Sequence, residues 1–91
     1  MTTPRLSDYL NHIRQAGHEA MGFVQGMDKS AFTADRRTQY AVIRCLTIIG
    51  EAVTKIMDAH AGFAEAHPEV PWLKMRGMRN RVVHGLCRHQ P

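Results

Sequence analysis

The fold is decided by the middle of the chain, where residues 39–59 read QYAVIRCLTIIGEAVTKIMDA. Two apolar stripes run side by side along this segment at helical spacing. They are Ala41, Cys45, Ile48, Ala52 and Ile56, and Val42, Leu46, Ile49, Val53 and Met57. A helix that is apolar over so much of its circumference is expected to be central and buried. Gly50 costs this helix about 1 kcal/mol relative to Ala, and such a glycine more often permits close helix packing than binds a ligand.

Two further helices are predicted to flank the central one. Thr3 and Pro4 form a start signal for the first helix, whose apolar residues recur at helical spacing until Gly26, its expected end. Thr33 or Asp35 is expected to cap the central helix. The third helix is predicted to begin at Pro71, with His84 in its last turn and Gly85 as the residue that ends it. The connecting segments leave room for short turns at 29–32 and 62–66.

The predicted fold class is all-α, an antiparallel helical bundle. The 91 residues accommodate only one domain. It is predicted over residues 1–85, because the third helix is expected to end at Gly85, and residues 86–91 are expected to form a tail. No alternating strand pattern or internal repeat is present. The apolar stripes are broad for three helices, so a fourth surface is expected to cover them. A second copy of the chain can supply this surface, and a homodimer or a higher oligomer is predicted.

Composition narrows the functional classes. The two cysteines have no zinc-ligand spacing, and no two of the six histidines stand three or four residues apart, so no metal site is expected. The N-terminal residues lack the apolar core of a signal peptide, and no apolar run reaches the ~20 residues of a membrane span. These features predict a soluble, reduced, cytoplasmic protein without membrane contact.

The net charge of +4 is unevenly distributed. Residues 1–71 carry a net charge of −1, whereas residues 72–91 carry five cations and no acid. The cations are Lys74, Arg76, Arg79, Arg81 and Arg88. A dense basic segment attracts polyanions, nucleic acid above all. The alternative is a solvated basic helix face that has no partner.

Residues 78–85, MRNRVVHG, place groups suited to RNA cleavage within two helical turns. His84 can move protons at near-neutral pH, Arg79 can hold a phosphate, and Asn80 can orient either group. The structural alternative makes His84 a helix-terminal residue favoured by the helix dipole. Arg79 and His84 lie ~140° apart around a helix. They are therefore expected to converge only if the helix ends at His84 or if a second chain completes the site.

The same residues resemble the signature of HepT-like proteins, which belong to the HEPN ribonuclease superfamily. The signature is an Arg and a His with four to six residues between them and a polar residue directly after the Arg. Arg79, Asn80 and His84 match it, with four residues between the Arg and the His. The resemblance continues in three further blocks and covers nearly all of residues 5–85. These blocks are 38–44 (TQYAVIR), 48–52 (IIGEA) and 67–72 (HPEVPW).

The resemblance implies a helical homodimer whose two motifs face a shared cleft. It implies metal-independent RNA cleavage by a toxin, with no cofactor and with a nucleotidyltransferase antitoxin of the MntA type as partner. Arg79 and His84 would then be catalytic and Asn80 supporting. Lys74, Arg76 and Arg81 are predicted to bind RNA because of their positive charge. The alternative function is a non-catalytic helical partner of the nucleotidyltransferase. Glu51 and Arg44 are interpreted as a solvated or core ion pair, or alternatively as a brace for the motif.

The chain departs from the family pattern at Leu86, where the family has the Tyr that the antitoxin can modify with AMP. The family also continues into a closing helix, whereas this sequence ends at Pro91. A frameshift after Gly85 is one hypothesis, because a one-base shift in a permitted coding sequence restores Gly-Tyr-Ala-Asp-Ile-Asn. Sequencing the gene tests it, since a frame without a Tyr-x-Asp continuation would exclude it.

Overall fold

A computed structural model describes residues 5–88 and consists of helices joined by short connections. In chain order they are α1 (Leu6–Phe23), α2 (Lys29–Ala34), α3 (Arg36–Ala59), α4 (Ala61–Ala66) and α5 (Trp72–Arg88). No strand occurs in this part of the chain, so the all-α prediction is confirmed. The three long helices form an antiparallel bundle in which α1 and α5 both pack against α3.

The central position predicted for α3 is confirmed by the distribution of buried residues. Between residues 5 and 88, eight apolar residues are buried, and seven of them belong to α3. They are Ala16 of α1 and Val42, Cys45, Leu46, Ile49, Ala52, Val53 and Ile56 of α3. Helix α5 contributes only partly buried side chains to this core. The burial of both stripes explains why α3 persists for 24 residues through Gly50.

The start of α3 is fixed by Asp35, one of the two predicted caps. Its Oδ1 accepts a hydrogen bond from the Thr38 amide at 3.0 Å, and its Oδ2 accepts one from the Thr38 hydroxyl at 2.8 Å. These bonds, the amide one first, lower the pKa of the Asp35 carboxyl. The Thr33 hydroxyl instead donates to the Lys29 carbonyl within α2. Buried Gln39 then ties α2 to α3, donating from Nε2 to two carbonyls at the end of α2.

Helix α1 ends earlier than predicted, at Phe23, and Gly26 lies in the following turn with a φ of +79°. That value lies in the left-handed region that glycine favours. Thr3 and Pro4, the predicted start signal, lie outside the described residues. Within them, the Arg5 amide donates to the Asp8 carboxylate at 2.8 Å at the beginning of the helix.

The start of α5 is set by an elbow that follows α4. The Trp72 indole donates from Nε1 to the carbonyls of Ala64 and His67, both at 3.1 Å, and its ring meets Phe63 edge-on. Pro71 directly precedes the helix, one residue from its predicted role as the first helical residue, and its carbonyl accepts from the Met75 amide. This elbow directs α5 back along α3.

The end predicted for the third helix is wrong. Helix α5 does not stop at Gly85 but continues through Leu86 to Arg88, so the predicted tail 86–91 begins as helix. Leu86 lies four residues after Val82, so it continues the helical series of apolar residues, and it is partly buried. Both features favour a helix that continues past Gly85. The last three residues of that tail lie outside the described part of the chain.

Candidate functional site

Helix α5 presents the three motif residues to solvent. Arg79, Asn80 and His84 are all exposed, while Met78 and Val82 of the same helix pack on the α3 core. The apolar side of α5 therefore fixes the helix, and the polar side remains open to a ligand. An exposed imidazole and guanidinium on a packed helix suit contact with a large substrate such as RNA.

Asn80 contacts Arg79 and precedes His84 by one helical turn. Arg79 donates from Nη1 to the Asn80 carboxamide oxygen at 3.0 Å. Asn80 and His84 are one turn apart and share a face of the helix. The bond to Asn80 therefore draws the guanidinium of Arg79 toward the face that carries His84.

This contact changes the expectation of how Arg79 and His84 converge. The helix does not end at His84, so the first of the two expected routes is wrong. The long Arg79 side chain instead spans part of the angular separation by reaching Asn80. One chain thus gathers an Arg, an Asn and a His on neighbouring surfaces of a single helix, and completion of the site by a second chain stays a prediction.

Of the three other cations predicted to bind RNA, only one lies beside the motif. Arg76 lies on the α3 side of α5, where its Nη1 is 4.0 Å from the sulfur of Met57. Arg81 folds back along its own helix and donates to the Lys74 carbonyl. Lys74 borders a separate groove at the α4–α5 elbow. Only Arg76 therefore joins Arg79 on the side that faces α3.

Sequence analysis missed a groove that runs between α3 and α5 beside the motif. Its α5 wall contains Arg76, Arg79 and Asn80. Its α3 wall and floor contain Leu46, Thr47, Gly50, Glu51, Thr54 and Lys55. The polar residues of α3 are three or four positions apart, which was the available signal, but only the packing of α5 shows which face of α3 adjoins the motif.

Gly50 sets the close approach of the two helices at this groove. A Cβ atom at position 50 would lie 3.3 Å from the Arg76 carbonyl oxygen, tighter than an ordinary contact. The interpretation of this glycine as a packing residue is therefore confirmed.

Glu51 and Arg44 are both exposed, and no ion pair joins them between residues 5 and 88, so the predicted ion pair is absent there.

The groups outside α3's cap that have shifted pKa values, Cys45 and Glu69, are not residues of the motif. His67 contacts the Glu69 carboxylate at 2.9 Å, and this hydrogen bond lowers the pKa of Glu69. Burial raises the pKa of the Cys45 thiol in the core. Among the described residues, no three His, Cys, Asp or Glu side chains are grouped so as to hold a metal ion. Nor does any described helix have the length and apolarity needed to cross a bilayer.

Comparison with known proteins identifies relatives along most of the chain. The family model described as "Ribonuclease HepT-like" matches residues 8–87. A probable ribonuclease HepT of Thermococcus cleftensis is 40% identical over 77 residues, which are 85% of this chain and 67% of the relative. A putative RNase of Caldanaerobacter subterraneus subsp. tengcongensis is 38% identical over 84 residues, 92% of this chain and 70% of the relative.

A putative RNase of Methanocaldococcus jannaschii is 38% identical over 76 residues, 84% of this chain and 63% of the relative. The chain thus spans roughly two thirds of the length of these relatives. No solved structure matches it. The match to the family model includes the whole of α5 except its last residue, and with it Arg79, Asn80 and His84. By this match and by its curated relatives, the chain belongs to the HepT-like ribonuclease family.

Proposed function

We propose that this chain is a metal-independent RNA endonuclease in which His84 and Arg79 act on the scissile phosphate. The hydrogen bond from Arg79 to Asn80 is the observation that carries the proposal, because it brings a phosphate-binding group toward the face of the proton-transfer group. Family membership and relatives named as ribonucleases support the same activity by resemblance.

In the proposed reaction the 2′-hydroxyl oxygen attacks the adjacent phosphorus while the bond from phosphorus to the 5′ oxygen breaks. A histidine takes the proton of the 2′-hydroxyl, and a protonated histidine supplies one to the leaving 5′ oxygen. The products are a 2′,3′-cyclic phosphate and a 5′-hydroxyl, so atoms and protons balance. Arg79 offsets the charge that develops on the non-bridging oxygens.

The attacking and leaving oxygens lie on opposite sides of the phosphorus. One rigidly held imidazole therefore does not exchange protons with both oxygens in the same step. We therefore place the His84 of a second copy on the opposite side, in a homodimer with a shared cleft. The small core supports association. The chain is also extended for its size, because its radius of gyration of 14.6 Å exceeds the ~12 Å expected for a compact chain of this length. Helix α5 has no buried residue, and Leu73 is 64% exposed.

An assay on purified protein in EDTA tests the activity. Wild type is expected to cleave single-stranded RNA and leave cyclic-phosphate ends, and His84→Ala and Arg79→Ala are each expected to abolish cleavage. His18→Ala is the matched control, because His18 is an exposed helical histidine on α1. Cleavage that survives in the folded His84→Ala protein would refute the assignment.

We further propose that the chain is the toxin of a pair whose antitoxin is a nucleotidyltransferase of the MntA type. The family resemblance supports this pairing, while Leu86 removes the Tyr that the antitoxin would modify at that position. Co-purification with the nucleotidyltransferase, unchanged by Arg79→Ala and His84→Ala, is expected. Complex formation together with an inactive, folded wild type would favour the alternative function, a non-catalytic binding partner.

A further inference from the structure

The groove between α3 and α5 adjoins Arg79 and has a volume of about 280 Å³. That is close to the lower limit of small-molecule pockets, which occupy roughly 300–1,000 Å³. Leu46 and Gly50 provide an apolar floor, and polar groups from both helices form the rim. A shallow site of this size suits one planar ring system, such as an unpaired nucleobase.

The rim on α5 offers what an unpaired base needs beside its phosphate. Single-stranded RNA is commonly recognised by stacking of splayed-out bases on aromatic rings or on the planes of Arg guanidinium groups. Arg76 and Arg79 both border the groove. One guanidinium can therefore stack on a base while the other holds the adjoining phosphate.

The rim on α3 offers hydrogen-bond acceptors. The hydroxyls of Thr47 and Thr54 donate to carbonyls one turn earlier in α3, both at 2.8 Å, which leaves their oxygens available only as acceptors. The Glu51 carboxylate is also an acceptor, and between residues 5 and 88 it forms no hydrogen bond or ion pair. A base bound here must present donors toward α3.

Guanine meets this requirement best of the four RNA bases. Its Watson–Crick edge presents two adjacent donors, N1–H and N2–H, which match the two oxygens of a carboxylate. Adenine, cytosine and uracil each place an acceptor next to their donor, and that acceptor would face the lone pairs of Glu51. Such repulsion discriminates against the wrong bases.

We propose that the α3–α5 groove binds one unpaired guanine of the RNA substrate and that Glu51 accepts its N1–H and N2–H groups. The proposal rests on the proposed ribonuclease function and adds a base preference to it. It also explains a carboxylate among the cations Lys55, Arg76 and Arg79, where a negative charge weakens attraction for phosphate.

Mapping of cleavage sites tests the preference. Single-stranded RNA of random sequence is cleaved in EDTA, and the bases flanking each cut are counted. Wild type is expected to enrich guanine at one flanking position by about ten-fold or more, the range of a bidentate base contact. Glu51→Gln is expected to lose this enrichment, because cleavage at guanine-flanked sites falls while cleavage at the other sites is retained. Asp58→Asn is the control, since it removes an exposed carboxylate of α3 outside the groove.

Uniform base usage by wild type, or guanine enrichment that persists in Glu51→Gln, would overturn the proposal. A binding measurement separates its failure from that of the proposed function. In an NMR titration with guanosine 5′-monophosphate, the amides of Gly50 and Thr54 are expected to shift, and less so with the adenosine, cytidine or uridine nucleotide.

If no RNA is cleaved but guanosine monophosphate shifts these amides and Glu51→Gln abolishes the shifts, the guanine site stands and the ribonuclease function fails. If RNA is cleaved without guanine preference, the ribonuclease function stands and the guanine site fails. If neither guanine preference nor guanosine monophosphate binding is observed, the guanine site fails whether or not RNA is cleaved.

Discussion

Mixed dimers of wild type and His84→Ala test whether one cleavage site needs a histidine from each of two chains. Among the described residues of α5, His84 is the only histidine, and no histidine lines the groove that contains Arg79 and Asn80. The proposed mechanism takes its second proton-transfer group from the partner copy. A dimer with one altered chain is expected to be inactive.

The magnitude follows from the statistics of random pairing in a two-fold dimer. If a site needs both copies of His84, cleavage is proportional to the square of the wild-type fraction, and an equal mixture retains about one quarter of the activity. If each chain acts independently, an equal mixture retains about one half. The two curves differ most near equal mixing, well beyond the error of an initial-rate measurement.

The assay uses two differently tagged chains, mixed under conditions of subunit exchange, with heterodimer formation verified by tandem purification. Initial rates are measured in EDTA at constant total protein. A mixture of wild type with His18→Ala is the control and is expected to keep full activity. A linear decline to one half in a verified, fully exchanged mixture would refute the shared site and assign all the chemistry to the motif of one chain.

Three further predictions concern the fold that holds the site. Gly85→Ala is expected to raise the free energy of unfolding by up to about 1 kcal/mol, because Gly85 is helical and an added Cβ meets nothing within 4 Å; destabilisation in a urea titration would show that the helix ends there. Gln39→Leu is expected to lower it by about 1–2 kcal/mol, since two carbonyls of α2 lose their donor; an unchanged urea midpoint would contradict this. The lowered pKa of Asp35 stabilises the fold above its unfolded value of about 4, and this contribution is lost as the pH falls through the lower folded value. Asp35→Asn retains a capping oxygen without titrating, so its melting temperature is expected to fall less than that of wild type between about pH 5 and pH 2.

The sequence was sufficient to predict the central helix because two stripes marked the same segment. Seven of their ten residues are buried in α3, and the capping chemistry of Asp35 was readable at its start. The short turns at α2 and α4 were also expected, within a few residues. These features depend on local spacing and capping, which the sequence contains directly.

The end of α5 was predicted wrongly because a glycine signal was given more weight than apolar spacing. Gly85 is compatible with helix termination, but Leu86 lies one turn after Val82, continues its apolar spacing and is partly buried. The spacing was visible in the sequence. Its effect depends on α3 lying beneath that stripe, which is a tertiary contact.

The motif residues were recognisable from their spacing, whereas the groove beside them was not. Glu51 is separated from Arg79 by 28 positions in the sequence, and only the crossing of α3 and α5 brings both to one cleft. Spacing along one helix also could not show that Arg79 turns toward Asn80. Side-chain reach and helix crossing decide these relationships, and neither is a periodic signal.

Gly50 is the point at which packing and the proposed chemistry meet. Because it has no side chain, the backbone of α5 approaches α3 at Arg76, and the flanking residues Thr47, Glu51 and Thr54 stand along the cleft that remains. A larger residue at position 50 would add helix propensity but would move α5, and with it Arg79, away from the acceptors on α3. Gly50 weakens α3 as a helix, but by allowing α5 to approach it brings the polar side chains of α3 within reach of a ligand bound at the motif.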